Sequence, residues 1–153
     1  MNNISIRPVT QSDLPSFFEH QLDNEAIAMA AFPSRDRESF DAHWAKIMAN
    51  ESNILMTIEV DNQVAGNIVS WEQEGKQEVG YWLGREFWGK GIATEALSQF
   101  LGVVKTRPLF GHVAKHNTAS LRVLEKCGFT VIGDDKYVNI GKNEVEEFVL
   151  RLN

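Results

Sequence analysis

A short glycine-containing segment, Gly89-Lys90-Gly91, lies between a predicted strand and a predicted helix. Glycine permits backbone conformations with positive φ and lets a ligand approach the main chain closely. The first-turn N–H groups of a helix have no partners within the helix, and the helix dipole adds partial positive charge there. The segment therefore predicts a site for an anion such as a pyrophosphate, with Lys90 and Arg85 adding charge at its rim.

The same segment also has a simpler interpretation, a tight turn followed by close packing of a helix on a sheet. It is not a Walker loop, because the spacing Gly-x-x-x-x-Gly-Lys-Ser/Thr is absent. Gly89, Gly91 and Ala93 miss the Gly-x-Gly-x-x-Gly spacing of dinucleotide-binding folds, and the strands before them form a meander. From this segment alone, both anion binding and a plain turn remain open.

The rest of the chain predicts the elements that position this loop. Apolar alternation predicts strands, and apolar residues at helical spacing predict helices. The predicted order is β-α-α-β-β-β-α-β-α-β-β, with residues 24–33 as a loop. Strand 78–83, its crossover helix and strand 109–115 imply one locally parallel pair. We expect an α+β fold, a mixed and mostly antiparallel sheet of about six or seven strands flanked by four helices.

Composition narrows the class of protein. A length of 153 residues predicts a single domain over 1–153, and the net charge of −6 argues against a nucleic-acid partner. Negative charge is compatible with a cationic amine partner, although it also keeps many proteins soluble. The chain shows no membrane-spanning apolar run, no secretory signal and only one cysteine, Cys127. We therefore expect a cytoplasmic protein without a membrane partner.

A second motif lies one strand downstream of the glycine loop, where Asn117-x-x-Ser120 leads into Glu125-Lys126-Cys127-Gly128-Phe129. Two earlier segments belong with this motif, Gly80-Tyr81-Trp82-Leu83 and Trp88-Gly89-Lys90-Gly91-Ile92-Ala93-Thr94-Glu95-Ala96. Together they resemble the GNAT acyltransferase superfamily, and most of all the branch that includes the ribosomal-protein N-terminal acetyltransferases. The order of elements extends the resemblance over nearly the whole chain, and two motifs at this separation are more specific than either one.

The resemblance implies an acetyl-CoA site in a cleft where strand 78–83 splays from strand 109–115. The pantetheine arm would pair with exposed strand groups near Trp82 and Leu83 as with another strand. Its pyrophosphate would lie on the N–H groups of the glycine loop, and Asn117 would contact the pantetheine. The implied cofactor-binding residues are Trp82, Leu83, Trp88, Gly89, Lys90, Gly91, Ile92, Ala93, Thr94 and Asn117.

Two positions depart from the wider superfamily pattern. Trp88 stands where Gln or Arg is frequent, although the resembling branch commonly has Trp there. Leu124 stands where a tyrosine often protonates the departing thiolate, and leucine cannot donate a proton. Ser120 carries the nearest hydroxyl of the motif, and the branch uses a serine there. Ser120 is therefore the candidate proton donor, while helix capping or unassisted departure of the thiolate remain alternatives.

An amine must lose its proton before it attacks a thioester, because the ammonium form is not a nucleophile. Glu78 is the first candidate base, since it begins the strand before the loop and shares a face with Gly80 and Trp82. Glu72 is the second, and both a water relay and a merely solvated role for Glu78 remain open. A backbone N–H near Leu83 is the candidate oxyanion donor.

Other polar residues receive no catalytic role. His112 and His116 are about 13 Å apart on a strand, too far to share a metal, and we expect ordinary polar positions and no metal site. Cys127 is expected to pack, because no nearby cation pattern points to it. The apolar stretch Ala26–Pro33 either lines an acceptor pocket, as this connection does in the family, or is an ordinary hydrophobic loop.

The sequence thus predicts an N-acetyltransferase that moves an acetyl group from acetyl-CoA to a primary amine in a ternary complex. The acceptor is a protein N-terminal α-amine or a small-molecule amine, and the protein is a monomer or a homodimer. A non-catalytic acyl-CoA-binding module is the alternative, motivated by Leu124. A nucleotide-phosphate binder that uses the same loop is a third option.

Overall fold

The computed structural model describes residues 3–153, in which the strands form a single sheet. The strand order is β1-β2-β3-β4-β5-β7-β6, and every neighbouring pair is antiparallel except β4 with β5. The mixed α+β architecture with one parallel pair confirms the predicted fold class. The strands are β1 (Ile4–Pro8), β2 (Ile54–Val60), β3 (Gln63–Gln73), β4 (Lys76–Leu83), β5 (Leu109–Ala114), β6 (Thr130–Val138) and β7 (Glu144–Leu152).

Five α-helices accompany the described part of the sheet. They are α1 (Leu14–His20), α2 (Asn24–Ala30), α3 (Arg37–Ala49), α4 (Ile92–Leu101) and α5 (Thr118–Lys126). Single turns of 3-10 helix precede α1 at Gln11–Asp13 and follow β4 at Arg85–Phe87. None of these helices, within residues 3–153, is long and apolar enough to cross a membrane.

Helix α2 corrects the prediction that residues 24–33 form a loop. Asp23 caps it, since its carboxylate accepts a hydrogen bond of 2.9 Å from the Ala26 N–H group. Alanine, glutamate and methionine favour helix, and the aspartate supplies the N-terminal signal. Pro33 drew the sequence interpretation toward a loop, but the helix ends three residues before it.

The helices cover the two faces of the sheet with separate apolar clusters. Helices α4 and α5 pack on one face, where Ile68, Phe100 and Leu150 are fully buried. Helices α1 and α3 pack on the other face of β2 and β3, where Phe17 and Trp44 lie 5.2 Å apart. Side chains along each strand therefore alternate between an α4/α5 face and an α1–α3 face.

The parallel pair β4–β5 is short. Only three residue pairs connect the strands, which are Gln77 with Leu109, Glu78 with Phe110, and Val79 with Gly111. Beyond Gly111, β5 continues to pair with β7, while β4 continues to pair with β3 up to Leu83. The two strands therefore separate, and the predicted splay between them is present as an opening in the middle of the sheet.

A buried carboxylate fixes the start of α1 to the sheet. Asp13, with 2% of its side chain exposed, binds both terminal nitrogens of Arg7 at 2.7 and 2.8 Å. It also accepts hydrogen bonds from the Thr10 N–H group at 2.9 Å and the Thr57 hydroxyl at 2.7 Å. Burial alone would raise the pKa of Asp13, but these donors outweigh it and lower the pKa to about 2.

We expect the Asp13→Asn substitution to lower the free energy of unfolding by roughly 2–3 kcal/mol at pH 7, because it leaves Arg7 without its bidentate carboxylate. Urea denaturation measures this loss. Because the pKa of Asp13 is depressed from 3.8 to about 2, the stabilisation is present above pH 4 and disappears as the pH falls toward 2.

The control is Asp41→Asn, which breaks the exposed pair between Arg37 and Asp41. We expect this variant to change the free energy of unfolding by less than about 0.5 kcal/mol. Equal effects of the two substitutions would contradict a structural role for Asp13.

Candidate active site

The opening between β4 and β5 leads into a cleft of about 440 Å³. The cleft reaches from the end of β4 along the start of α4 and across to the start of α5. Its floor and walls are lined by Ala26, Met29, Ala30, Tyr81, Trp82, Leu83, Phe87, Trp88, Gly89, Gly91, Ile92, Ala93, Thr94, Asn117, Ala119, Ser120, Arg122, Val123 and Lys126. Segments from both sequence motifs thus meet at one surface, and Lys90 is the only predicted cofactor-binding residue outside the lining.

The glycine loop places free backbone at one end of this cleft. Gly89 and Gly91 have φ of +72° and +76°, and a Cβ atom at either position would meet nothing within 4 Å. Backbone conformation therefore requires these glycines, whereas close packing does not. The first backbone bond of α4 runs from the Glu95 N–H to the Gly91 carbonyl, so the N–H groups of residues 92–94 have no partner within the helix.

The basic residues beside the cleft differ from those that the sequence predicted for the rim of the glycine loop. Arg85 does not lie free at the rim, because its guanidinium pairs with Glu25 at 2.7 Å and Asp23 at 3.4 Å at the start of α2. Arg122 and Lys126 line the cleft instead. The two basic residues were missed by sequence analysis, although their spacing of four places them on one side of α5.

The backbone at the end of β4 is partly unpaired. The Gly84 N–H group donates to the Ala65 carbonyl of β3 at 2.8 Å. Because successive strand residues direct their backbone groups to opposite edges, Leu83 directs its own groups away from β3 and toward the opening. The Trp88 indole N–H donates to the Leu83 carbonyl at 2.9 Å, which gives this tryptophan a defined place in the cleft and leaves the Leu83 N–H available.

Asn117, Ser120 and Tyr81 form a hydrogen-bonded group at the start of α5. Asn117 is the N-cap residue, and its side-chain oxygen accepts the Ser120 N–H at 3.2 Å. The backbone of Ser120 thus makes the capping bond, while its hydroxyl lies 2.6 Å from the Tyr81 hydroxyl. Burial raises the pKa of Tyr81, although the bond to Ser120 opposes this shift. Tyr81 thus places an aromatic hydroxyl beside Ser120, a contact that sequence analysis did not predict.

Glu78 lies on the α1–α3 face at the root of the opening, is 5% exposed and, like Glu72, is not among the residues that line the cleft. Its Oε1 atom is 2.6 Å from Nε2 of His112, whose Nδ1 hydrogen-bonds to Oε1 of Glu147 at 2.8 Å. Glu78 is therefore not a solvated strand-end carboxylate, and His112 is not an ordinary polar residue. The hydrogen bond to Glu147 and the contact with Glu78 raise the pKa of His112 to about 10.

The remaining candidates lie elsewhere. Glu72 is exposed and pairs in register with Gln77, outside the cleft. His116 hydrogen-bonds through Nε2 to the Ala28 carbonyl of α2 at 2.7 Å. Helix α2 contributes Ala26, Met29 and Ala30 to the cleft, so this stretch is not an ordinary hydrophobic loop. Within residues 3–153, no group of three or more His, Cys, Asp or Glu side chains is arranged to hold a metal ion.

Solved structures with similar folds are acetyltransferases. A GNAT-family acetyltransferase from Bacillus anthracis has a TM-score of 0.81 at 22% identity, covering 97% of this chain and 93% of its own. An N-acetyltransferase from Staphylococcus aureus Mu50 has a TM-score of 0.82 at 18% identity, covering 99% and 98%. The protein yncA from Salmonella typhimurium, solved with its cofactor acetyl-CoA, has a TM-score of 0.78 at 19% identity, covering 98% and 93%.

Sequence comparison points to the same group of proteins. An uncharacterized N-acetyltransferase, p20, from Bacillus licheniformis is 31% identical over an alignment of 87 positions that covers 53% of this chain. The matched segment covers 48% of that relative, so the similarity spans about half of its length. A family model described as an acetyltransferase (GNAT) domain matches residues 3–130. Since this match extends over most of the chain, the protein belongs to the GNAT acetyltransferase family.

Proposed function

We propose that this protein transfers an acetyl group from acetyl-CoA to a primary amine, which attacks the thioester directly in a ternary complex. The observation that carries the proposal is the opening between β4 and β5, which joins a cleft lined by both sequence motifs. A ternary complex requires two substrates to meet, and the opening connects the two faces of the sheet at one point. Holding both reactants there supplies a large part of the rate enhancement.

The cleft fits the chemistry of acetyl-CoA at each end. The open space beside Gly89 and Gly91 and the free N–H groups of residues 92–94 suit a pyrophosphate. Arg122 and Lys126 add positive charge for the phosphate groups. At the other end, the Leu83 N–H is available to an amide of the pantetheine arm or to the developing oxyanion, and the Asn117 side-chain amide retains its N–H donors.

Bound acetyl-CoA supplies an activated thioester, and the side chains of this protein handle the protons. Glu78 accepts the proton that the ammonium form of the acceptor must lose, either directly or through a water molecule. With Glu78 as the base, this step takes place on the side of the sheet opposite α4 and α5, because Glu78 lies on the α1–α3 face. The acceptor therefore enters from the side that α2 borders, where Met29 and Ala30 line the cleft.

Ser120 stabilises the departing thiolate from the α5 side. Its hydroxyl lines the cleft and is held by the Tyr81 hydroxyl at 2.6 Å. Because burial raises the pKa of Tyr81, this phenol keeps its own proton and acts by orienting and polarising Ser120. A thiolate is a modest base, so a hydrogen bond from Ser120 is sufficient assistance. The presence of the Ser120–Tyr81 hydroxyl pair in the cleft supports an active enzyme over the alternative of a non-catalytic acyl-CoA-binding module.

The acceptor is a protein N-terminal α-amine or a small-molecule amine. The motif around Asn117 and Ser120 resembles the ribosomal-protein N-terminal acetyltransferases, which favours an α-amine. The net charge of −6 is compatible with a cationic acceptor in either case. A panel of peptides with free N-termini, polyamines and small primary amines, assayed for release of free CoA, distinguishes the two classes.

The first test of the proposed function concerns the glycine loop. We expect one saturable acetyl-CoA site by calorimetry and roughly 100-fold weaker binding in Gly91→Glu, because a carboxylate there repels the pyrophosphate. Gly75→Glu is the matched control. Gly75 also has positive φ, +79°, with no atom within 4 Å of a Cβ atom, but it lies in the β3–β4 hairpin away from the cleft. This control should bind like the wild type.

Absence of acetyl-CoA binding by the folded wild-type protein would overturn the proposed function. Equal loss of binding in Gly91→Glu and Gly75→Glu would show that backbone strain, and not the site, explains the effect. Competition by ATP but not by CoA would favour a nucleotide-phosphate binder.

The second test of the proposed function concerns the hydroxyl pair. We expect Ser120→Ala and Tyr81→Phe each to lower kcat about tenfold, the effect of one hydrogen bond of about 1.4 kcal/mol. The acetyl-CoA Kd should stay within about twofold, because neither hydroxyl is assigned to cofactor binding. The double variant should be no slower than the slower single variant, since the two hydroxyls act as one unit.

Ser98→Ala on the exposed side of α4 is the control for loss of a hydroxyl, and its kcat should equal that of the wild type. If Ser120→Ala and Tyr81→Phe both retained the wild-type kcat, the thiolate would depart without assistance from this pair. Binding of acetyl-CoA without turnover of any amine in the panel would instead support the non-catalytic module.

A further inference from the structure

Three side chains from three strands form an ionic cluster at the root of the opening. His112 of β5 lies between Glu78 of β4, at 2.6 Å from Nε2, and Glu147 of β7, at 2.8 Å from Nδ1. Only 7% of the Glu78 side chain and 11% of the Glu147 side chain are exposed, compared with 35% for His112. Two nearly buried carboxylates thus share one imidazole ring, whose remaining surface reaches solvent.

With both carboxylates ionised, the geometry favours a charged form of this ring. The Glu147 carboxylate accepts a hydrogen bond, so Nδ1 of His112 must carry a proton. If Nδ1 carried the only proton of a neutral ring, the lone pair of Nε2 would point at Oε1 of Glu78. A lone pair and a carboxylate oxygen 2.6 Å apart repel each other, whereas an imidazolium has a donor at both nitrogens. The raised pKa of His112, about 10, agrees with a ring that stays charged at neutral pH.

The position of the cluster relates it to the opening. Glu78 occupies the middle of the three β4–β5 pairs, and His112 follows Gly111, the last β5 residue of that ladder. The contact between Glu78 and His112 therefore connects the two strands where their backbone pairing ends. No other side-chain partner of Glu78 occurs among residues 3–153, so one carboxylate oxygen remains for an incoming amine.

We infer that His112 is a positioning residue for Glu78, and that Glu147 serves to hold the His112 imidazolium in place. The imidazolium fixes one oxygen of Glu78 and leaves the other without a side-chain partner among residues 3–153, available to the amine. Glu147 anchors the far nitrogen, so the ring cannot rotate away. The inference rests on the proposed function, because it assigns Glu78 the proton of the acceptor amine.

Other titratable groups share this face of the sheet and contribute to its field. Strand register and the alternation of side chains show which other groups lie on the face that carries the cluster. They are Lys76 of β4, Asp135 and Tyr137 of β6, and Arg151 of β7. Burial, and then the charge of Glu147, raises the pKa of Tyr137, so this group stays neutral. The Lys76 ammonium lies over the Phe110 ring, 5.1 Å from its centroid. Glu25, at the start of α2, pairs with Arg85. Glu78 and Glu147 are the carboxylates in contact with the ring.

The test compares His112→Gln and Glu147→Gln with the wild type in steady-state kinetics across pH, using the best amine from the panel. We expect each variant to lower kcat about tenfold at pH 8 with an unchanged acetyl-CoA Kd, since Glu78 loses its fixed orientation. Glu78→Gln should lose more, about 100-fold or beyond, because it removes the base itself. His43→Gln, on α3 and outside both the cluster and the cleft lining, is the control and should retain the wild-type kcat.

The pH dependence separates positioning from a general structural role. In Glu147→Gln the pKa of His112 should fall toward its ordinary value of 6.5, because its strongest hydrogen-bonding partner is no longer charged. The loss of kcat in Glu147→Gln relative to the wild type should therefore grow as the pH rises from 6 to 8. The loss of kcat in His112→Gln should not change over this pH range, because glutamine does not titrate. NMR titration of the His112 ring should show the imidazolium persisting to about pH 10 in the wild type.

The outcomes distinguish this inference from the proposed function. If the wild type turns over and Glu78→Gln is inactive, but His112→Gln keeps the wild-type kcat and pH profile, the positioning role is wrong while the function stands. A His112 ring that titrates near pH 6.5 in the wild type also overturns the inference. Failure of the wild type to bind acetyl-CoA would instead refute the proposed function itself.

Discussion

The parallel ladder between β4 and β5 ends after three residue pairs, and the rest of the site depends on this interruption. In a continuous sheet, the backbone groups at the end of β4 would pair with the next strand. Here the Leu83 carbonyl is satisfied by the Trp88 indole, and the Leu83 N–H faces an open cleft. Buried backbone donors need partners, so the unpaired N–H group at the end of β4 suits a ligand that carries amide groups.

The opening also divides the chemistry between two faces of the sheet. On the α4/α5 face, the glycine loop, Asn117 and the Ser120–Tyr81 pair surround the cleft assigned to acetyl-CoA. Glu78 and its partner His112 lie on the other face, where we propose that the amine approaches. The proposed base and the proposed thiolate donor therefore lie on opposite faces of the sheet, and each has its own hydrogen-bond partners.

Local patterns were sufficient to predict the order of strands, the parallel pair and the glycine loop, because periodicity and turn residues act over a few positions. The alanine-rich α2 was predicted as a loop, although Asp23 carried a capping signal. The contacts Tyr81–Ser120 and His112–Glu147 join residues 39 and 35 positions apart, so they depend on strand register and helix placement that no short pattern contains. Arg85 was misplaced for the same reason, since its partners lie on α2.

Amide hydrogen exchange at the end of β4, measured by NMR with and without saturating acetyl-CoA, tests the central claim most directly. If the opening binds the co-substrate as an added strand, exchange of the Leu83 amide should slow markedly, together with the amides of Ile92, Ala93 and Thr94. The amide of Gly75 in the β3–β4 hairpin, away from the cleft, should be unaffected. Saturable binding that leaves the Leu83 amide unprotected would contradict the account.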